Sequence, residues 1–368
     1  MLRCPGRPAA VYMRLAVLYD YLETIGGGER VALTLSKHFD ADLVTTAYDE
    51  TLPARAGYPG VRVTSLGSIR GRTPVKQIRA SLRFSRATLS GYDAYVLVGN
   101  WAHFAARRHH PNLYYCLTPT RFFYDQREAT LARLPASRRP VARAWVAVHS
   151  AFDRRAVSHC NRIVAISENV RGRIQRYYAR PSDVIYPPVA THRFHFEDVG
   201  DAWLSVNRLY PEKRIGVQFD IFRRLPQERL LVVGGYTMGD RTEAYIGSLV
   251  KPANVTLLGD VPEDELVRLY ARCKGFLTTA VDEDFGITPV EAMAAGKCVL
   301  ATDDGGYRET VIEGKTGFLL PPEADAFAAK IRELDEGTLR GMRNDSVARA
   351  SQFDESVFLR KMESVLGV

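Results

Sequence analysis

The sequence predicts an α/β protein made of two doubly wound domains. Three observations lead there. The chain has 368 residues, short apolar runs alternate with helical stretches along it, and the alternation breaks at Pro187 and Pro188 before restarting. A chain of this length is long for one core and suits two domains of roughly 150–180 residues each. Hydrophobic residues make up 46% of it, enough for a core in each half.

Leu15 to Tyr19 (LAVLY) is a continuous apolar run, the pattern of a parallel strand buried on both faces. A glycine turn follows, then a helical pattern from Glu29 to His38. Asp42 to Thr46, Tyr95 to Val98, Leu113 to Cys116 and Arg162 to Ile166 read as further strands, and Val184 to Tyr186 as a last short one. Glu168 to Tyr178 is helical, with Ser167 as its expected N-cap. Past the two prolines, strands are expected at Trp203–Val206, Leu230–Val233, Val255–Leu258, Gly275–Thr279, Cys298–Ala301 and Gly317–Leu320. A final helix is expected from Glu355 to Leu366. The division is therefore 1–188, 189–350 and a terminal helical segment 351–368.

Composition narrows the class. No run of about 18 apolar residues occurs, so no membrane span is expected. The stretch before Met13 carries Pro5 and Pro8 and no continuous apolar core, unlike a signal peptide, and Met13 is an alternative start. Five scattered cysteines show no metal spacing and fit a reduced, cytoplasmic setting. The net charge of +8 is uneven: from Ile69 to Pro181, 21 Lys and Arg face 5 Asp and Glu, a balance of +16. This is either a solvated arginine-rich surface or an attraction to something anionic, such as a membrane face or a lipid diphosphate. No nucleic-acid-binding motif accompanies the charge, and nucleic acid is not an expected partner.

Ligands of doubly wound sheets bind beyond the carboxyl ends of the strands, and four strand-end motifs carry candidate chemistry. Gly26-Gly27-Gly28-Glu29-Arg30 opens a helix after the first strand. It is a tight turn or a place where backbone approaches a phosphate, and its spacing is not that of a dinucleotide loop. Asn207 to Arg214 follows the first strand of the second domain, and Arg208 and Lys213 are candidate partners of a diphosphate. Glu283-Asp284-Phe285-Gly286-Ile287-Thr288-Pro289-Val290-Glu291 places two glutamates eight apart. Carboxylates at such positions accept hydrogen bonds from vicinal sugar hydroxyls. Thr288 to Glu291 also reads as a capping box, so Glu291 has a purely structural alternative. Asp282-Glu283-Asp284 has the form of a metal-binding D-x-D, but two cations suffice to neutralise a diphosphate, and no metal is expected. Cys116 to Arg121 places Thr118 and Arg121 past a strand of the first domain, and His103 follows another. These three are candidates for an acceptor or cleft-lining role, with a satisfied structural histidine as the alternative for His103.

Taken together, GGGER, CLTPTR, RIVAISENVRGRIQRYY…VIYPPV, SVNRLYPEKR and EDFGITPVEAMAAGKCVLATDDGGYRE…GKTGFLLPP resemble the retaining family-four glycosyltransferases of GT-B fold along nearly the whole chain. The CLTPTRFFYD segment is similar to the mannosyltransferase-like subgroup of polysaccharide biosynthesis. The resemblance implies two Rossmann-like domains facing across a cleft, with the last helix crossing back to the first. It implies that Arg208 and Lys213 hold the donor diphosphate and that Glu283 contacts the transferred sugar, these three forming the catalytic set. It also implies that backbone amides of Phe285, Gly286 and Ile287 assist, that Glu291 holds the ribose, and that Gly27 and Gly28 line the donor–acceptor cleft. The implied donor is GDP-mannose or a UDP-sugar, with no further cofactor. The implied acceptor is a glycan or lipid-linked glycan, used by a cytoplasmic or peripheral membrane enzyme. Leu117 stands where relatives of this type usually carry a histidine facing the reacting sugar. That histidine is dispensable, or His103 replaces it, or catalysis is impaired. An epimerase-like enzyme and a non-catalytic nucleotide-sugar binder are the alternative functions.

Overall fold

The computed structural model describes residues 13–69, 71, 73–235 and 241–367. Two compact units divide the chain. One runs up to Ile166 and adds Val170–Ile185 and the chain from Leu359 onward; the other holds Ser167–Asn169 and Tyr186–Phe358. The last helix, Glu355–Leu366, thus starts in the second unit and ends in the first.

The first unit is built on seven strands: β1 (Leu15–Tyr19), β2 (Asp42–Thr45), β3 (Val63–Ser65), β4 (Ala94–Val98), β5 (Asn112–Cys116), β6 (Arg162–Ala165) and β7 (Asp183–Val184). Their order is β3-β2-β1-β4-β5-β6-β7, and every pairing is parallel. β1, β4 and β5 are buried at every position, which is why they read as unbroken apolar runs rather than alternating ones. β3 escaped the sequence reading because it is a three-residue edge strand, largely exposed. The last strand expected at Val184 to Tyr186 forms at Asp183–Val184 instead, before the prolines.

The second unit has six strands: β8 (Ala202–Val206), β9 (Arg229–Val233), β10 (Val255–Gly259), β11 (Phe276–Thr278), β12 (Val299–Thr302) and β13 (Gly317–Leu320). Their order is β10-β9-β8-β11-β12-β13, again all parallel. Its core centres on Trp203, Phe219, Phe222, Leu277, Leu300 and Phe327. Both units are therefore doubly wound α/β folds, as the alternation predicts.

The strand order in each sheet reverses once. In the first unit the reversal lies between β1 and β4, and in the second between β8 and β11. At such a switch point the two loops leaving the carboxyl ends run in opposite directions, and a crevice opens between them. In the first unit Asp20 closes it. Its carboxylate accepts the backbone N–H groups of Asn100, Trp101 and Ala102 at 2.6, 2.8 and 2.8 Å. Gly99 has φ +104, and a Cβ there would lie 2.6 Å from an Asp20 oxygen, so a glycine is needed for the approach.

Burial opposes the charge on Asp20 more than the three N–H donors favour it, and its pKa rises from 3.8 to about 6. The folded state thus holds this proton more tightly than the unfolded chain. The stability Asp20 contributes is complete below about pH 4 and is lost as pH rises through about 6. A rise of this size corresponds to about 3 kcal/mol. Urea denaturation of wild type and Asp20→Asn between pH 4 and 7.5 should show wild type losing stability relative to the variant over that window. Parallel curves would mean that Asp20 titrates normally.

Candidate active site

The crevice of the second unit is lined by the loops after β8 and β11. The chain leaves β8 through Asn207, whose N–H donates to the Val233 carbonyl, and Leu209 N–H donates to the Gly235 carbonyl. A short 3-10 turn, Pro211–Lys213, follows, and Arg214 at φ +55 joins it to the helix Ile215–Arg223. Thr279, just past β11, donates its hydroxyl to the carbonyls of Lys213 and Arg214 at 3.1 and 3.3 Å. The far end of one loop is thereby tied to the root of the other. Lys213 Nζ donates to Glu283 Oε2 at 2.6 Å, with both side chains about a quarter exposed. Arg208 lies exposed on the same loop, and its side chain has no partner among the described residues.

The Glu283 loop is clamped from behind. Its carbonyl accepts from Asn169 Nδ2 at 2.9 Å and from Gly306 N–H at 2.8 Å. Ser167 Oγ donates to the Asp284 carbonyl at 2.5 Å. A Cβ on Gly305 would lie 2.5 Å from the Glu283 carbonyl oxygen, so only the Gly305-Gly306 pair lets the two segments meet. Tyr307 is buried beneath, its hydroxyl 2.8 Å from Thr278 Oγ1 and also within reach of the Glu283 carboxylate. Burial, with that carboxylate beside it, pushes the phenol far above its usual range. The helix that follows Ser167 has an acceptor at its N-terminus from a distant segment. The N–H groups of Glu168 and Asn169 go to Glu309 at 2.7 and 2.8 Å. Burial raises the pKa of Glu309, partly offset by those two donors.

Phe285 is buried, stacked on Tyr186 at 5.4 Å and edge-on to Phe353 at 5.4 Å. Gly286 turns the chain at φ +89 and is the N-cap of the helix Ile287–Ala294. The capping box expected at Thr288 is therefore corrected: Thr288 and Pro289 lie inside the first turn. Glu291 Oε2 instead accepts from the buried Tyr270 hydroxyl at 2.8 Å. Arg208, Lys213, Glu283, Phe285, Gly286, Ile287 and Glu291 all lie in the second unit.

The remaining candidates lie in the first unit. Gly27 starts the helix Gly27–His38. A Cβ on Gly28 would meet Leu117 Cδ1 and the Tyr19 hydroxyl, both at 2.7 Å. The glycine loop therefore packs directly on the residue that replaces the usual histidine. Thr118 Oγ1 accepts from the largely buried Arg173 at 2.8 Å. Arg121 donates twice to Asp125 Oδ2, at 2.8 and 2.6 Å, so its charge is already partnered. His103 requires a correction. It is 0% exposed, with Nε2 2.9 Å from Asp153 Oδ1, and Tyr124 donates to the other Asp153 oxygen at 2.5 Å. A fully enclosed imidazole faces no cleft, and His103 is a core histidine. Among the described residues, no three His, Cys, Asp or Glu gather as a metal site.

Sequence reasoning passed over Asn169, Gly305, Gly306, Tyr307 and Glu309. Each acts on the Glu283 loop or on the segment that holds it, from over a hundred positions away or from behind the next strand. The one signal for them was the Gly-Gly pair in a segment already conspicuous as DDGGYRE.

The family model described as glycosyl transferases group 1 matches residues 197–352, nearly the whole second unit. This part of the chain is similar to the group 1 glycosyl transferases. Similar proteins include an alpha-1,3/1,6-mannosyltransferase ALG2 of Dictyostelium discoideum, 31% identical over 36% of this chain and 36% of its own. A mouse GDP-Man:Man(3)GlcNAc(2)-PP-Dol alpha-1,2-mannosyltransferase is 29% identical over 50% of this chain and 44% of its own. The chain thus spans less than half the length of these relatives. Anabaena Alr3699/HepE, solved with UDP and glucose, aligns over 96% of this chain and 99% of its own at TM-score 0.74 and 20% identity. That likeness is one of fold, and the fold is GT-B.

In the second unit the turn at Gly286 is tightly constrained. Its φ of +89 penalises any side chain, and a Cβ would also lie 2.7 Å from Tyr307 Cε1. Gly286→Ala should cost on the order of 1–3 kcal/mol. Gly57→Ala, at φ +84 in open space, carries only the backbone part. Chemical denaturation should rank Gly286→Ala as the more damaging, and equal costs would mean that Tyr307 yields freely.

Proposed function

We propose that the chain is a retaining glycosyltransferase that moves a mannosyl unit from GDP-mannose to a glycan carried on a lipid, working peripherally at an anionic, inner membrane face. The observation that carries this reading is the Lys213–Glu283 pair, at 2.6 Å, with Arg208 exposed on the same loop and without a partner among the described residues, at the switch point of the second unit. Two cations and a carboxylate in one crevice suit a ligand that joins a diphosphate to a polyol. The mannosyltransferase activities of the mouse and Dictyostelium relatives support mannose as the sugar. The UDP and glucose bound by the Anabaena protein name the competing donor class.

The residues divide the work. Arg208 and Lys213 stabilise the charge that builds on the leaving diphosphate. When Lys213 turns to the diphosphate, Glu283 is released to accept from a sugar hydroxyl. Glu291, oriented through Oε2 by the buried Tyr270 hydroxyl, accepts from the ribose. The amides of Phe285, Gly286 and Ile287 lie at the start of a helix, whose positive end suits an oxyanion. Gly27 and Gly28 keep the first unit's loop thin enough for ligand to approach. Thr118 is the first unit's polar candidate for the acceptor. Leu117 supplies no proton carrier, so the acceptor proton passes to the leaving phosphate on the same face of the sugar. The protein's part is then to position the reactants and stabilise charge. The balance of +16 between Ile69 and Pro181 supplies the attraction to an anionic surface.

Thermal unfolding with GDP, UDP, ADP, GDP-mannose and UDP-glucose tests the donor. GDP and GDP-mannose should raise Tm most, by mass action. A shift with uridine nucleotides alone would replace the donor, and none with any nucleotide would remove the reading. Lys213→Ala should cost about 2–4 kcal/mol of transition-state stabilisation, read as a loss in kcat/KM. Unchanged kcat/KM would take Lys213 out of the site.

A further inference from the structure

The first unit carries an apolar groove remote in sequence from the loops described above. It lies between the helix Val75–Arg86, the 3-10 stretch Ala102–Arg108 and the long helix Arg139–Val157, with a volume of about 750 Å³. The long helix has two apolar stripes. Val146, His149, Ser150, Asp153 and Val157 are buried in the unit. A second stripe, Val141, Trp145, Val148 and Phe152, recurs at steps of four, three and four residues and faces the groove. Val141, Val148 and Phe152 are 74, 59 and 60% exposed. Across from them Leu82 is 44% exposed. Trp145 packs on Phe122 within the unit, but the other three residues of the stripe leave a contiguous apolar patch in water, and such patches mark interaction sites.

The rim says what kind of partner. Arg86, Arg107, Arg108 and Arg155 stand around the groove, all exposed, and none pairs with a carboxylate among the described residues. His159, on the same rim, is held below its usual pKa first by burial and then by Arg107 and Arg155, which marks the potential there as positive. Apolar walls with unpaired guanidinium groups at the mouth match an amphiphile with a hydrocarbon tail and an anionic head. Arginine forks suit phosphate oxygens, and a protein partner of this chemistry would need an acidic, apolar helix for which nothing here argues.

We infer that this groove takes the hydrocarbon chain of a lipid phosphate, with the phosphate group on Arg86, Arg107, Arg108 and Arg155. The inference deepens the proposed function, since it rests on an acceptor carried by a lipid. It goes further by assigning where the lipid is held, in the first unit alone and through groups the donor site does not use.

The test is isothermal titration calorimetry of the full chain with hexyl, octyl and decyl phosphate below their micelle concentrations, with inorganic phosphate and decanol as controls. Decyl phosphate should bind saturably at one site. Each added methylene should tighten binding by up to about fourfold. Inorganic phosphate and decanol should each bind at least tenfold more weakly. Val148→Glu with Phe152→Glu changes only exposed positions and should weaken decyl phosphate at least tenfold, while leaving Tm and the nucleotide-induced shift in Tm unchanged. Arg107→Glu with Arg108→Glu should do the same. Affinity independent of chain length, or untouched by both double variants, would overturn the inference. So would binding to phosphatidylglycerol vesicles without binding to the monomeric phosphates, which would make the patch a bilayer contact. Concentration-dependent dimerisation abolished by Phe152→Glu would also overturn it, giving the stripe to a second copy of the chain. Failure here with an intact nucleotide shift would leave the donor reading standing. The groove could likewise hold with the donor reading lost, so the two fail separately.

Discussion

The site depends on one constraint: β8 and β11 are neighbours in the sheet but their carboxyl-end loops diverge, leaving a crevice that secondary structure does not fill. Into it the chain brings a lysine from one loop and a glutamate from the other, at 2.6 Å. Neither side chain is deeply buried, so the pair contributes little to stability by itself. Its importance lies in being exchangeable. A part-exposed ion pair held on rigid backbone can be traded for other polar partners at small cost, because the charges are already opposed and already partly desolvated.

Rigidity comes from behind the pair. The Glu283 carbonyl receives two donors, the Asp284 carbonyl a third, and Thr279 ties the Lys213 backbone to β11. These bonds join four stretches of chain, and the glycines at 286, 305 and 306 are what let the stretches come close enough. The functional side chains are thus few and on loops, while the groups that fix them are backbone carbonyls, small residues and buried tyrosines. Preorganised polar groups act on developing charge without reorganising, and here the preorganisation is a property of backbone packing.

The first unit solves the same topological problem differently. Its switch point is bridged by a buried carboxylate on three backbone N–H groups, and the neighbouring glycine loop rests on Leu117 and Tyr19. Its ionisable groups are turned inward: His103 and Tyr124 share Asp153, and Arg121 is spent on Asp125. What it offers outward is an arginine-rimmed apolar groove and a broad positive charge. One unit therefore presents a few charges fixed in a crevice, and the other presents area and potential.

The sequence by itself determined the two-unit α/β architecture, because fully buried parallel strands leave unbroken apolar runs and two adjacent prolines break the alternation. It also determined most strand and helix limits; the helices Glu168–Tyr178 and Glu355–Leu366 form over the residues their patterns indicate. Arg208, Lys213 and Glu283 stood out because charged residues at the ends of buried strands have few structural reasons to be there. Tertiary structure alone decided the rest. It placed His103 in the core, since a histidine that follows a strand reads alike whether its ring points to solvent or to Asp153. It moved the helix start from Thr288 to Gly286, since a left-handed glycine outranks a capping box when Glu291 is claimed by Tyr270. It also recruited Asn169, Gly305, Gly306 and Tyr307, and set the second stripe of the helix Arg139–Val157 against Leu82. Such contacts join residues far apart in the chain, and local pattern carries no information about which distant segment will arrive opposite.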